Sequence, residues 1–133
     1  MSPDIQAKFE SYPPHVKQKM LALRSLILAV AKTLGKRVDE SLKWGQLSYA
    51  VKGGTPIRID WSPQSPSSLS VYVNCKTTLV DTFREVQPDA FEYRGNRQLQ
   101  FGLDKHPPEE ALRLCISVAF TYHSRKTAPL LGL

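Results

Sequence analysis

Three segments of alternating polar and apolar residues decide the fold: LSYAV (47–51), IRIDW (57–61) and LSVYVNC (69–75). Every second residue in each segment is apolar, which is typical of a β-strand that covers a core with one of its faces. The glycine pair at 53–54 separates the first two segments, and a loop with two prolines separates the second from the third. We therefore predict an antiparallel meander with one covered face and one polar face.

The residues that precede the meander predict two helices. A short candidate runs from Asp4 to Ser11, and a longer one begins near Pro14. The longer helix has apolar residues at alternating intervals of four and three, which keeps one face apolar over five turns. These residues are Val16, Met20, Leu23, Ile27, Val30 and Leu34.

The residues that follow the meander predict a short helix, a second hairpin and a final helix. Thr78 and Asp81 have the spacing of a capping box at the start of the short helix. The hairpin turns at Gly95-Asn96, and the final helix opens at Pro107-Pro108. In the final helix we expect one buried face, shared by Leu112, Ile116, Ala119 and His123.

This order of elements, α-α-β-β-β-α-β-β-α, predicts the α+β class. We expect a single domain over residues 1–133, with an antiparallel sheet of about five strands and helices packed on one face.

Composition is that of an ordinary globular protein, with 41% hydrophobic and 23% charged residues. The 18 Lys and Arg outnumber the 12 Asp and Glu, and the resulting charge of +6 permits an anionic partner without requiring one. Cys75 and Cys115 lie too far apart for a metal-binding motif, which favours a reduced, cytoplasmic protein. The segment Met1–Glu10 lacks the apolar core of a signal peptide, and no apolar run is long enough to predict a membrane span.

The common catalytic and metal-binding motifs are missing from the sequence. It contains no glycine-rich phosphate loop, no GxSxG and no HExxH, and its three histidines are scattered. The long helix carries lysine and arginine but no acidic residue between Pro14 and Leu34, which disfavours binding of iron or calcium there. We therefore expect no cofactor and no metal.

Several segments resemble the YdhG-like family, domain of unknown function 1801. ESLKWGQLSY (40–49) resembles the family run E-x-x-x-W-G-x-P-S-Y, with Leu47 at the position where proline is common. NCKTTLVDTFR (74–84) resembles C-x-T-x-L-V-D-x-[FY]-R. The resemblance continues in IRIDW (57–61), in GNR (95–97) and from Cys115 to Gly132.

The resemblance implies a small α+β domain with an antiparallel sheet, and the activity of the family is largely unassigned. One distant branch is described as a frataxin-like iron chaperone. The basic long helix of this chain departs from what iron binding needs, so the resemblance does not carry that role over.

The segments that resemble the family supply a candidate binding site. Arg84 and Arg97 are expected to hold an anionic group, His123 and Tyr122 to donate hydrogen bonds, and Trp44 to form an aromatic wall. The complete candidate set is Trp44, Tyr49, Arg58, Asn74, Cys75, Arg84, Asn96, Arg97, Tyr122, His123 and Lys126.

Structural roles remain open for the same residues. Arg84 can pair with Asp81 three residues earlier, and Arg97 can be solvated beside its turn. His123 can be a satisfied core histidine, and Trp44 and Tyr49 can belong to the core. Cys75 can be a small buried residue.

These observations favour a non-enzymatic binding module for a small anionic ligand or a protein partner. Three alternatives stay open. They are nucleic-acid binding, an enzyme that uses Cys75 or His123, and a frataxin-like iron chaperone.

Overall fold

The computed structural model describes all of residues 1–133 and contains the predicted meander. Strands β2 (Gln46–Ala50), β3 (Ile57–Asp60) and β4 (Ser68–Tyr72) are antiparallel neighbours. Leu47 lies opposite Ile59, and Ile59 lies opposite Val71, so the apolar residues of the three strands share one face. All three side chains are buried, as the alternating pattern predicts.

Three further strands complete the sheet. Strand β1 (Asp39–Lys43) pairs with β2 at one edge, β6 (Gln98–Gly102) pairs with β4, and β5 (Glu92–Arg94) forms the other edge. The order β1-β2-β3-β4-β6-β5 is antiparallel throughout and has six strands rather than about five. Strand β1 was not predicted because its sequence, DESLK, has a single apolar residue and therefore no alternating apolar pattern.

The helices confirm the α+β class. Their bounds are α1 (Pro3–Glu10), α2 (Pro14–Thr33), α3 (Leu79–Val86), α4 (Glu109–Phe120) and α5 (Tyr122–Arg125).

The apolar stripe of α2 is buried from Val16 to Val30, which confirms the predicted amphipathic helix. Its side chains and those of α1, α3 and α4 join the apolar face of the sheet in one continuous core. We call the apolar face of the sheet, which the helices cover, the inner face, and the opposite, polar face the outer face. No helix in the structure has both the length and the apolar sequence that crossing a bilayer requires.

The final helix ends earlier than the sequence predicts. Helix α4 stops at Phe120, and the backbone N–H of Thr121 donates to the carbonyls of Ser117 and Val118. The chain turns there before α5 begins, so the helical spacing does not continue to His123. Tyr122 takes the buried position and His123 is exposed, so the prediction of a buried His123 is wrong.

The predicted capping box is also wrong. The side chain of Thr78 makes no capping hydrogen bond, and the backbone at Thr78 has φ −96° and ψ 15°. This conformation is not the extended one from which an N-cap hydroxyl reaches the first helical turn.

The turn between β2 and β3 lies directly against the end of α4. The backbone N–H of Thr55 donates to the Ala119 carbonyl at 2.8 Å. A Cβ atom at Gly54 would lie 2.7 Å from the Cα atom of Phe120, so only glycine fits at this contact. The turn therefore fixes the end of α4 relative to the sheet.

Candidate functional site

A row of polar residues crosses the outer face of the sheet. Ser48, Arg58, Tyr72 and Gln98 lie opposite one another on β2, β3, β4 and β6. The Gln98 amide donates to the hydroxyl of Ser70 at 2.9 Å, so this end of the row is satisfied internally. The register places Arg58 in the middle of the outer face, with a strand on each side.

A groove of about 380 Å³ lies beside Arg58, and we call it the outer-face groove. Five of the eleven candidate residues line it: Trp44, Arg58, Asn74, Cys75 and Arg97. The other lining residues are Asp39, Ser41, Lys43, Ser48, Ala50 and Pro56.

Trp44 stands on a strained turn at the rim of this groove. Lys43 pairs with Gln46, and the two residues between them have φ 55° at Trp44 and 77° at Gly45. Positive φ at both positions defines a type I′ turn, whose first central residue is commonly asparagine, aspartate or glycine. An L-residue with a bulky side chain costs about 1 kcal/mol or more in this conformation. The tryptophan is also 92% exposed, so neither the turn nor the core accounts for it.

Arg58 and Arg97 bring unpaired positive charge to the groove. Arg58 is half-buried and Arg97 is exposed, and neither belongs to any of the six ion pairs of the protein. The backbone of Arg97 is held in place because its carbonyl accepts from Val73 N–H at 2.8 Å. With Lys43 and Asp39, the lining holds three cations and one anion, a net charge of +2.

Asn74 and Cys75 form the end of the groove that follows β4, and Asn96 supports them from outside it. The Asn74 side-chain oxygen accepts from the Lys76 backbone N–H at 2.9 Å, which shapes the turn. The Asn96 amide donates to the Cys75 carbonyl at 3.3 Å, so Asn96 braces the groove without lining it. The Cys75 thiol is free and exposed, whereas Cys115 is buried and burial raises its pKa to about 12.

Arg84 has a structural role behind the groove. Its guanidinium donates to Asp81 at 3.3 Å and to the Gly95 carbonyl at 2.9 Å. It also lies over the ring of Tyr93, 5.7 Å from the ring centre. The pairing with Asp81 that the sequence left open is therefore present within α3, and the hydrogen bond to the Gly95 carbonyl ties α3 to the second hairpin.

Tyr49 belongs to the core on the inner face, next to an ion pair that sequence reasoning missed. Arg24 on α2 donates to both carboxylate oxygens of Glu40 on β1, at 2.6 Å and 3.0 Å. The Tyr49 hydroxyl is buried and makes no hydrogen bond. Burial, together with the nearby Glu40 charge, raises the pKa of Tyr49. The Arg24–Glu40 pair fastens the edge strand β1 to the long helix.

The pKa of Glu40 reflects two opposing effects. Burial by itself would raise the pKa of Glu40, but the hydrogen bonds and the positive charge of Arg24 favour the ionised carboxylate, and the pKa is lowered. Glu40 and Arg24 lie on the inner side of β1, and they leave Asp39, Ser41 and Lys43 to face the groove. Because side chains of a strand alternate between its two faces, the sequence DESLK shows that Glu40 lies on one face and Asp39, Ser41 and Lys43 on the other. The strand is mostly polar, so the sequence does not show which of the two faces packs on the core.

Tyr122, His123 and Lys126 do not line the outer-face groove. The ring of Tyr122 meets that of His123 edge-on at 6.0 Å, and the His123 backbone N–H donates to the Gly53 carbonyl. The structure thus separates the C-terminal part of the candidate set from the groove, and it separates Cys75 from His123. No group of three or more His, Cys, Asp or Glu is arranged to hold a metal ion.

No family model and no curated protein sequence matches this chain. Among solved structures, the chain is similar to the crystal structure of YdhG, a DUF1801 family protein from Bacillus subtilis. The two superpose with a TM-score of 0.66 over 92% of each chain, at 12% sequence identity. This similarity concerns the fold, and it agrees with the resemblance carried by the sequence segments. The chain therefore has the YdhG-like fold of the DUF1801 family.

Proposed function

We propose that this chain is a non-enzymatic, cytoplasmic binding module that holds a small anionic ligand with a flat ring in the outer-face groove. One observation carries the proposal. Two arginines without acidic partners lie in the same groove as a strained and almost fully exposed tryptophan.

The unpaired arginines support recognition of an anion. Arg58 and Arg97 offer planar guanidinium groups, which match phosphate and carboxylate oxygens through pairs of parallel hydrogen bonds. Arg84 is engaged with Asp81 and Gly95, so the anion-binding role shifts from the predicted pair to Arg58 and Arg97. The net charge of +2 along the lining favours the same class of ligand.

The exposed tryptophan supports a ligand with a flat ring. An indole that covers no part of the core is free to stack on an aromatic or heterocyclic ring, and such stacking is worth about 1–3 kcal/mol per base in nucleic-acid binding proteins. Trp44 shares the groove with both arginines, so ring and anion would be held at one site.

The remaining features favour binding over catalysis. Covalent catalysis needs a nucleophile within hydrogen-bond reach of a base, and Cys75 has no histidine beside it in the groove. The two free cysteines favour a reducing compartment such as the cytoplasm.

The test is a titration with adenosine 5′-monophosphate and, separately, inorganic phosphate. Two groups of the chain report on the groove: the fluorescence of Trp44 and the rate at which N-ethylmaleimide alkylates Cys75. Cys115 is buried and stays silent in the alkylation assay. We expect the nucleotide to change Trp44 fluorescence and to slow alkylation of Cys75. In Trp44→Ala the half-buried Trp61 is the one remaining tryptophan, so this variant shows how much of the fluorescence change comes from Trp61.

The matched variants are Arg58→Gln and Arg97→Gln against Arg113→Gln. Arg113 lies on α4, away from the groove, and its substitution removes the same charge. Loss of one hydrogen bond to a charged group costs at least about 1.5 kcal/mol, so each groove variant should weaken binding about tenfold. The proposal fails if neither probe protects Cys75, or if Arg113→Gln weakens binding as much as the groove variants do.

A further inference from the structure

A second cavity, of about 270 Å³, lies on the inner side of the sheet. It opens between α2, the start of β4, the end of β6 and the start of α4. Its floor consists of buried leucines, namely Leu23, Leu69, Leu103 and Leu112. Seven of its twelve lining residues are apolar, in contrast to the outer-face groove, where three of eleven are.

Two small residues leave this space open. Ala22 lies on the exposed side of α2, and Gly102 ends strand β6. In another protein, an engineered apolar cavity of about 150 Å³ binds benzene. The space here is large enough for a ring with a short chain.

The rim of the cavity carries unpaired positive charge. Lys19 and Lys105 line it, are exposed and take part in no ion pair. The aliphatic stem of Lys105 lies over the end of β6, with Cγ and Cδ 3.6 Å from the position of a Cβ on Gly102. The one acid of the rim, Glu109, is already paired with Arg113 at 3.1 Å.

We infer that this cavity is a second binding site, for an amphipathic monocarboxylate whose apolar body enters the leucine-lined floor and whose carboxylate meets Lys19 and Lys105. Since Arg113 already pairs with Glu109, the two lysines are the cations of the rim that have no acidic partner, and both are free to meet a carboxylate. The site is independent of the outer-face groove because the two lie on opposite faces of the sheet.

The probe is 4-phenylbutyrate, which combines a ring, a short chain and one carboxylate. Titration into ¹⁵N-labelled protein should shift the amide signals of Leu23, Leu103 and Leu112 and leave those of Arg58 and Arg97 unchanged. The uncharged 4-phenyl-1-butanol should bind at least fivefold more weakly, because it lacks the group that the lysines recognise.

Ala22→Leu should block the cavity, and Ala29→Leu is the control. Both alanines are exposed on α2, and only Ala22 lines the cavity. Since alanine and leucine are both good helix formers, both variants should fold. We expect Ala22→Leu to weaken binding at least tenfold, Lys19→Gln or Lys105→Gln to weaken it about threefold, and Ala29→Leu to have no effect. The inference is overturned if 4-phenylbutyrate shifts no cavity amide at 10 mM, if Ala22→Leu binds as well as the parent, or if the alcohol binds as tightly as the acid.

Discussion

Replacing Trp44 with asparagine should stabilise the fold while abolishing the stacking surface. The left-handed backbone at Trp44 costs an ordinary L-residue about 1–2 kcal/mol, and asparagine pays less because its short side chain tolerates this conformation. The indole is 92% exposed, so little packing is lost with it. We expect Trp44→Asn to raise the free energy of unfolding by about 1 kcal/mol.

This change is large enough to measure by two methods. A chain of 133 residues has an unfolding entropy of ~0.28 kcal/mol/K, so 1 kcal/mol corresponds to a rise in Tm of about 4 °C. In urea the midpoint should move up by about 0.5 M, with an unchanged slope. Differential scanning calorimetry and urea titration should agree on the size of the gain.

Trp44→Ala separates the ring from the backbone. Alanine removes the indole but keeps a Cβ atom in the strained conformation, so its stability should stay within about 0.5 kcal/mol of the parent. Both variants should lose the ligand-dependent fluorescence change. If Trp44→Asn is no more stable than the parent, backbone strain is not stored at this turn. If Trp44→Ala loses more than about 1 kcal/mol, the indole packs against the fold, and the case for a free stacking surface is refuted.

Three further predictions test the contacts around the site. Gly54→Ala should destabilise the protein by at least about 2 kcal/mol in urea titration, because the new Cβ would meet the Phe120 backbone at 2.7 Å. The control, Gly102→Ala, should destabilise it by less than about 1 kcal/mol. Equal losses of stability would contradict the close contact at Gly54. Because the folded protein lowers the pKa of Glu40 below its usual value near 4.5, ionised Glu40 stabilises the fold above that pH, and this stability is lost as the pH falls through the folded pKa. The stability difference between the parent and Glu40→Gln should therefore shrink between pH 6 and pH 3 in urea titrations, and a constant difference would show that the charge is not responsible. Asp39→Asn removes the single acid of the outer-face groove and should tighten binding of adenosine monophosphate by at least about threefold, the effect in water of one unit charge ~6 Å from each negative charge of the phosphate. Unchanged affinity by calorimetry would argue against binding in the groove.

Sequence reasoning found the elements whose apolar pattern is complete. Leu47, Ile59 and Val71 alternate with polar residues, so both the strands and the face that they bury follow from spacing alone. Strand β1 lacks that pattern because Arg24, rather than apolar packing, fastens its inner side through Glu40. An ion pair between residues sixteen positions apart leaves no periodic signal.

The same limit explains the outcome for the candidate site. Strand alternation puts Arg58 on the polar face. Trp44, Asn74, Cys75 and Arg97 lie near it because they border the same strands. Helical spacing, when it is extended to His123, predicts that the C-terminal residues join them. Helix α4 ends before Thr121, whose backbone N–H donates to Ser117 and Val118, and the pattern of side chains does not predict such an end.

Because the helices cover one face of the sheet, the two faces have different roles. Residues on the inner face pack in the core and stabilise the fold. Their neighbours one position along the strand face solvent and contribute little to that packing. Substitutions on the outer face can therefore change which ligand binds, with little loss of stability. A library that varies Ser41, Lys43 and Arg58 while the leucine, isoleucine and valine partners stay fixed would make this scaffold a route to new anion receptors.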